Sequence, residues 1–98
     1  MGRLIWTAEA ESWLREIHGF IAQDQPEAAL KVIQGLLQKA QTLRDHPHLG
    51  RLFRHEADGE IRVLQEGRFR IAYQVQASRR IVVLGVFHDA MDLERYLP

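Results

Sequence analysis

Residues 60–88, EIRVLQEGRFRIAYQVQASRRIVVLGVFH, decide the fold. The stretch contains three apolar-rich runs, at 60–65, 68–75 and 81–87, separated by two short polar breaks. In the second run apolar and polar residues alternate, which predicts a strand with one buried face. The third run has no polar residue, as expected of an internal strand that is covered on both faces. The apolar face of the second run consists of Phe69, Ile71, Tyr73 and Val75.

The two polar breaks predict tight turns between successive strands. Glu66-Gly67 fits a short hairpin turn, and residues 76–80 fit a slightly longer one. Strands joined by turns this short pair antiparallel, because a parallel pair needs a long crossover. Residues 60–88 therefore predict an antiparallel β-meander.

The N-terminal part of the chain predicts one strand followed by two helices. Residues 3–6 fit a short strand, after which Thr7 fits the N-cap of a helix that ends near Gln23. Pro26 fits the first position of a second helix, which ends near Arg44. The short connection predicts an antiparallel αα-hairpin that packs on one side of the sheet. The contact residues expected on the hairpin are Trp13, Ile17, Phe20, Val32, Ile33 and Leu36.

The remaining segments predict little regular structure. Residues 45–59 carry proline and glycine without apolar periodicity, which predicts a loop. Residues 89–98 can form only a short C-terminal helix or tail. Residues 1–98 are therefore expected to form a single α+β domain, in which an N-terminal strand and an antiparallel αα-hairpin accompany a mainly antiparallel four-stranded sheet.

Composition is that of an ordinary soluble globular protein, with 46% apolar and 27% charged residues. The absence of cysteine excludes disulfides and thiolate metal sites. No signal-peptide pattern is present, and no apolar run approaches the roughly 20 residues that span a bilayer, so we expect a cytoplasmic protein without membrane contact. His46, His48 and His55 lie close in sequence, but histidines in such a loop are more often exposed, so neither a metal site nor a cofactor is expected.

The formal net charge is zero, yet the basic residues are unevenly distributed. Residues 61–80 contain five arginines and a single acid, Glu66. Arginine supplies all but two of the 13 basic residues in the chain, which favours bidentate contacts to phosphate or carboxylate. For any one strand arginine, solvation of an outer sheet face is an equally good explanation.

Five short segments, in order along the chain, carry a resemblance to a known superfamily. They are residues 5–10 (IWTAEA), 24–29 (DQPEAA), 46–51 (HPHLGR) and 67–75 (GRFRIAYQV), and Val86-Phe87-His88 with Asp92-Leu93. Together they resemble the ParE/RelE superfamily, the toxins of bacterial type II toxin–antitoxin modules that are also known as plasmid stabilisation proteins. The β-α-α-β-β-β order expected from the residues is the layout that this resemblance implies.

The resemblance implies one of two activities. RelE-like members are endoribonucleases that cleave mRNA on the ribosome, and ParE-like members inhibit DNA gyrase. RNA cleavage by the 2′-hydroxyl needs a base, an acid and cationic stabilisation of the phosphate, all converging on one face. For a nuclease, these roles would be carried by Arg62, Arg70, His88 and Tyr96, with Arg51 or Arg54 arriving from the loop.

Several features favour the ParE branch, and with it a toxin that is not an enzyme. The family pattern has an arginine before the aspartate that matches Asp92, but this chain has Met91 there. A ribosome-directed protein would ordinarily be strongly basic, whereas this chain is neutral. We therefore expect gyrase as the target. Cleavage of mRNA on the ribosome is the alternative, and an inert, degenerate toxin that acts only as an interaction module is a second alternative.

The resemblance also implies a protein partner. A cognate antitoxin, disordered until it wraps the toxin, would pair its acids with toxin arginines. The antitoxin would also bind DNA on behalf of the complex, so this chain would meet DNA only indirectly. The residues expected to contact the antitoxin or the target are Arg51, Arg62, Arg68, Arg70, His88 and Asp92.

Overall fold

The computed structural model describes residues 2–97, which contain two α-helices, five strands and two short 3-10 helices. The elements are β1 (Leu4–Trp6), α1 (Ala8–Ala22), α2 (Pro26–Gln41), β2 (Arg51–Glu56), β3 (Gly59–Glu66), β4 (Phe69–Gln76) and β5 (Ile81–His88), with 3-10 helices at Thr42–Arg44 and Leu93–Arg95. The Thr7 hydroxyl accepts a hydrogen bond from the Ala10 N–H at 2.9 Å and so caps α1. Pro26 opens α2, where its missing N–H removes no helical hydrogen bond. Among residues 2–97, no helix is both long and apolar enough to cross a membrane.

The strands form one mixed sheet in the order β1-β5-β4-β3-β2. β1 pairs parallel with β5, and the other neighbouring strands pair antiparallel. The β3–β4 turn consists of Gly67 and Arg68, so it lies one residue later than the predicted Glu66-Gly67 turn. Gly67 has a φ of +58°, which glycine adopts without steric cost. The predicted meander and the α+β fold are therefore confirmed, and β5 is an internal strand between β1 and β4.

The sheet has five strands, so the prediction of four was wrong. Residues 51–56, predicted as part of a loop, form the edge strand β2, and none of these residues is buried. A register shift between Leu52 and Arg54 interrupts the pairing of β2 with β3. An exposed edge strand with a bulge needs no apolar alternation, which is why periodicity did not reveal it.

Apolar side chains cover both faces of the sheet. On one face the αα-hairpin packs against the sheet, and Leu36, Ile71 and Tyr73 are almost fully buried there. On the other face the C-terminal segment docks, and Leu93 and Leu97 close a second apolar cluster. β5 therefore contributes buried side chains to both clusters, as its uninterrupted apolar run predicted.

Two of the contact residues predicted on α1 lie elsewhere. Phe20 is 77% exposed, so its predicted place in the core was wrong. The Trp13 ring packs edge-on against Phe87 in the second cluster, with 4.8 Å between the ring centroids. β1 spans only three residues, which leaves the end of β5 open to α1 and lets Trp13 reach the far face. The other predicted contacts pack against the core as expected: Ile17, Val32, Ile33 and Leu36.

Candidate functional site

An apolar groove lies between the αα-hairpin and the β3–β4 turn, with a volume of about 610 Å³. α1 contributes Ile17 and Phe20, α2 contributes Val32, and the sheet contributes Phe69 and Val86. These residues, together with the charged side chains of Glu16, Lys31, Glu66 and Arg68, are termed the apolar groove. A concave surface lined mainly by apolar side chains with a few polar groups is the usual form of a binding site.

Phe20 is the most exposed large apolar side chain in residues 2–97. It lines the groove together with Gly67 of the β3–β4 turn, where an added Cβ would meet nothing within 4 Å. The apolar stripe of α1 thus ends beside a turn that offers no bulky side chain to cover it. Large apolar groups left exposed beside a groove mark sites of interaction.

Charged residues form the rim of the apolar groove. Glu16 and Lys31 come from the two helices, and Glu66 and Arg68 come from the β3–β4 turn and its start. The rim therefore carries two acids and two bases, so it would select a ligand by charge pattern rather than by net charge. Of the residues predicted to bind a partner, Arg68 and His88 line this groove.

His88 ends β5 at one side of the groove. Its Nδ1 lies 3.1 Å from the Ala90 backbone nitrogen and 3.2 Å from Asp89 Oδ1. When the ring is neutral, Nδ1 accepts the Ala90 hydrogen bond and Nε2 carries the proton; when the ring is protonated, Nδ1 donates to Asp89. The ring also packs edge-on against Phe69, with 5.7 Å between ring centroids. His88 therefore fixes the junction between the last strand and the C-terminal segment.

Hydrogen bonds within the protein hold Arg62 and Arg70. Arg62 Nε donates to Glu60 Oε1 at 2.8 Å, and Arg62 Nη1 donates to the Gly50 carbonyl at 2.8 Å. Arg70 Nη2 donates to two carbonyls of the C-terminal segment, at 3.0 and 2.6 Å. Both guanidinium groups therefore tie a neighbouring segment to the sheet, and neither is presented freely to a ligand.

The residues expected of a nuclease do not converge on one face of the sheet. Arg62 is paired with Tyr73 in the β3–β4 register, on the face that carries the helices. Arg70 is offset from Tyr73 by three residues along β4 and points to the opposite face, where it meets the C-terminal segment. Tyr96 packs against the second cluster, whereas His88 lines the groove beside the helices. The four side chains are thus divided between the two faces.

The other predicted site residues are dispersed as well. Asp92 caps the C-terminal 3-10 helix, because its Oδ1 accepts from the Glu94 N–H at 3.2 Å. Arg51 is exposed at the start of the edge strand β2. Arg54, predicted in a loop, belongs to the same strand and donates to Glu56 at 3.4 Å. Neither Arg51 nor Arg54 lines the apolar groove.

Residues 4–93 match the sequence profile of a family described as the ParE toxin of the type II toxin–antitoxin system parDE. The chain belongs to this family of ParE toxins. A proposed toxin of Sinorhizobium fredii, Y4kP, is 33% identical over 86 residues, which are 88% of this chain and 86% of that protein. The matched span contains both α-helices and all five strands described above.

Solved toxin–antitoxin structures share the fold of this ParE-family chain. The chromosomal ParDE system of P. aeruginosa superposes with a TM-score of 0.72 at 24% identity, over 90% of this chain and 96% of that chain. The toxin–antitoxin complex RelBE2 of Mycobacterium tuberculosis gives a TM-score of 0.66 at 20% identity, over 89% of this chain and 96% of that chain. The archaeal RelE-RelB complex of Pyrococcus horikoshii gives a TM-score of 0.67 at 14% identity, over 93% of this chain and 98% of that chain. ParE and RelE proteins therefore share this α+β fold, and the fold does not separate their activities.

In this ParE-family chain, buried Tyr73 fixes the loop that precedes β2. Its hydroxyl donates to the Pro47 carbonyl and accepts from the Gly50 N–H, both at 2.8 Å. Burial raises the pKa of the Tyr73 hydroxyl, so the phenol stays neutral and able to donate. Beside it, the hydrogen bond from Arg62 lowers the pKa of Glu60 and keeps that carboxylate ionised.

The histidines near this loop share no ligand position. His48 Nε2 lies 3.4 Å from Glu60 Oε1, and His55 belongs to β2. Over residues 2–97, no group of three histidine, cysteine, aspartate or glutamate side chains is placed to hold a metal ion.

Sequence reasoning misses the groove itself. It places Phe20 in the core and gives no role to Glu16 or Lys31. The sequence holds no clear signal for the groove, because an apolar stripe shows which face of a helix is apolar and not whether a neighbouring element covers it.

Proposed function

We propose that this protein inhibits DNA gyrase and is kept inactive by a cognate antitoxin bound in the apolar groove. Membership of the ParE family supports gyrase over mRNA as the target. The observation that carries the choice is the separation of Arg62 from Arg70, since each bonds to backbone carbonyls and they face opposite sides of the sheet. A nuclease needs its acid, base and cations around one phosphate, whereas a toxin that binds a protein needs no such convergence.

The apolar groove suits an amphipathic segment of the antitoxin. Phe20, Ile17 and Val32 offer an apolar floor, as in complexes where a peptide helix lies in a groove. Lys31 and Arg68 on the rim would pair with acids on the polar side of that segment. Two solved proteins with this fold are complexes of a toxin with its antitoxin, which supports a partner of this class.

Two assays on the purified protein separate the possible targets. We expect it to block supercoiling by gyrase and to raise the amount of cleaved DNA held by gyrase. Ribosomes programmed with mRNA should leave the mRNA intact. Cleavage of that mRNA, abolished by His88→Ala, would instead assign the chain to the RelE activity. Folded protein without either effect would indicate an inert interaction module.

Phe20→Glu tests the antitoxin site. Phe20 is 77% exposed, so the change should alter the free energy of unfolding by no more than about 0.5 kcal/mol. Loss of an aromatic anchor from an interface costs about 2–4 kcal/mol, which weakens binding roughly 30- to 1000-fold. Leu30→Glu is the matched control, because Leu30 is also an exposed apolar residue of the hairpin but does not line the groove.

We expect the antitoxin encoded beside this gene to protect cells from the wild-type toxin and from Leu30→Glu, but not from Phe20→Glu. Affinity of the purified pair, measured by calorimetry, should fall for Phe20→Glu alone. Equal affinity for all three proteins would place the antitoxin on another surface.

A further inference from the structure

Three separate parts of the chain bring exposed arginines together around Gly2. The Gly2 N–H donates to the Arg44 carbonyl at 3.0 Å, and the Ile81 N–H donates to the Arg3 carbonyl at 2.7 Å. A Cβ added at Gly2 would lie 2.7 Å from the Arg79 carbonyl oxygen. These backbone contacts bring together, at one end of the sheet, a group termed the arginine end: Arg3, Arg79 and Arg80. Arg44 lies beside this group, but its Nε donates to the Gly2 carbonyl at 3.4 Å, so the protein's own backbone already engages it.

Arg79 has a backbone conformation that normally belongs to glycine. Its φ is +68°, and it is the one non-glycine residue with a positive φ in the described range 2–97. The Arg79 N–H donates to the Gln76 carbonyl, and the Gln76 N–H donates to the Arg80 carbonyl, both at 2.9 Å. Such a three-residue hairpin loop favours glycine at its left-handed position. An arginine there is held against a local steric cost, which points to a use for its side chain.

The arginines of the arginine end form no ion pair with the described residues. Over residues 2–97, no carboxylate lies within ion-pair distance of Arg3, Arg79 or Arg80. Two acids, Asp45 and Glu60, and two arginines, Arg44 and Arg79, line the adjoining cavity, so its lining is balanced in charge, and Arg62 already pairs with Glu60 at 2.8 Å. The excess of positive charge comes from Arg3 and Arg80, which lie outside that lining. The zero net charge of the chain therefore conceals a local excess of cations at this end.

The cavity beside the arginine end has a volume of about 500 Å³, and its lining includes Arg44, Asp45, His48 and Arg79. None of the large exposed apolar side chains of the described residues lines it, whereas a protein partner usually docks around such an anchor. No phenylalanine, tyrosine or tryptophan lines it either, although single-stranded nucleic acids are bound by stacking on aromatic rings. Exposed arginines with neither an apolar anchor nor an aromatic ring beside them suit the phosphate backbone of a duplex.

We propose that the arginine end binds the phosphate backbone of duplex DNA without reading its sequence. The β4 strand separates this end from the apolar groove, because Phe69 lines the groove and Gln76 lines the cavity. Seven residue steps along a strand span about 23 Å, so a segment bound in the groove leaves the arginine end open. The proposal goes beyond gyrase inhibition and antitoxin binding and depends on neither, but it adds a direct contact with DNA to the indirect one expected from the sequence.

Fluorescence anisotropy with the full chain and a labelled DNA duplex of about 20 base pairs tests this assignment. We expect the logarithm of the binding constant to fall against the logarithm of salt concentration with a slope of about −2 to −3, because three arginines each contribute about −0.9. Arg79→Gly and Arg80→Gln should each reduce the slope by about one and should weaken binding to all sequences alike. Arg95→Gln is the matched control, because Arg95 is an exposed arginine of the C-terminal 3-10 helix, and it should leave the slope unchanged.

Thermal unfolding of Arg79→Gly separates binding from folding. Glycine relieves the left-handed strain, so the melting temperature should equal or exceed that of the wild type while DNA binding weakens. Unchanged affinity and slope in both variants would overturn the proposal. Displacement of the duplex by polyglutamate at equal charge would also overturn it in favour of an acidic protein, and tighter binding of single-stranded RNA would overturn it in favour of RNA.

Discussion

Replacing Tyr73 with phenylalanine removes a single oxygen atom from the interior of the protein. Tyr73 is fully buried, and its ring would still fill the same space after the change. Its hydroxyl bridges two backbone groups of the loop before β2, the Pro47 carbonyl and the Gly50 N–H, at 2.8 Å each. The perturbation therefore acts through hydrogen bonding and leaves apolar packing almost unaltered.

The expected loss of stability in Tyr73→Phe comes from the backbone groups that lose their hydrogen-bond partner. Gly50 is buried, so its N–H would lose its partner in a position that water does not readily reach. A lost hydrogen bond costs about 0.5–1.5 kcal/mol, and a buried group left without a partner costs about 1–3 kcal/mol. Together we expect a loss of about 2–4 kcal/mol from the roughly 5–15 kcal/mol that stabilises a domain. The melting temperature should fall by on the order of 10–20 °C.

Urea and thermal unfolding followed by circular dichroism measure this loss. Tyr96→Phe is the matched control, because Tyr96 is 43% exposed and its hydroxyl makes no hydrogen bond to residues 2–97. The control should unfold within about 0.5 kcal/mol of the wild type. A Tyr73→Phe variant as stable as that control would refute the reasoning, since it would mean that the loop finds other partners without cost.

Glu60→Gln should reduce the loss of stability in acid. Because Arg62 lowers the folded-state pKa of Glu60 below its ordinary value of 4.5, the stability that this carboxylate adds is present above that value and is lost as the pH falls through the folded-state pKa. Urea midpoints at about pH 7 and pH 3 should therefore differ less in the variant than in the wild type. Arg70→Gln removes two hydrogen bonds to the C-terminal segment, so it should lower the free energy of unfolding by about 1–3 kcal/mol. It should also speed amide hydrogen exchange in residues 91–97, and unchanged exchange would contradict this role of Arg70. Ile71→Asp puts an unpaired carboxylate at a fully buried position and should give no folded protein, whereas a wild-type melt would disprove the packing described for the helix face.

Periodicity predicted the centre of the sheet because burial there is regular. Alternate residues of β4 face the helices and the C-terminal segment, so residues 68–75 carry a clear two-residue period. Residues 81–87 predicted cover on both faces, and the C-terminal segment supplies the second cover. The sequence describes that segment only as a short helix or tail, because ten residues with scattered apolar positions have no period to read.

Burial is irregular where the sequence failed. β2 lies at an edge with a bulge and has no buried residue, so nothing in residues 51–56 distinguishes it from a loop. Phe20 lies on a regular apolar stripe, but a stripe records which face of a helix is apolar and not whether a neighbour covers it. Arg62 and Arg70 could be recognised as cations, but they bond to backbone carbonyls of distant loops. Every residue has a backbone carbonyl, so the sequence does not show which of them an arginine will meet.

The eleven arginines differ in what holds them, and this difference changes the meaning of the neutral net charge. Arg62 and Arg70 bind carbonyls of the protein itself, so the basic meander is a weaker docking surface than its composition indicates. Exposed cations remain at the two ends of β4, with Arg68 at the apolar groove and Arg79 at the arginine end. An acidic peptide would meet the first end, where apolar side chains can anchor it, and a phosphate backbone would meet the second. Because about 23 Å separates the ends, substitutions at one should leave binding at the other unchanged, and their effects should add.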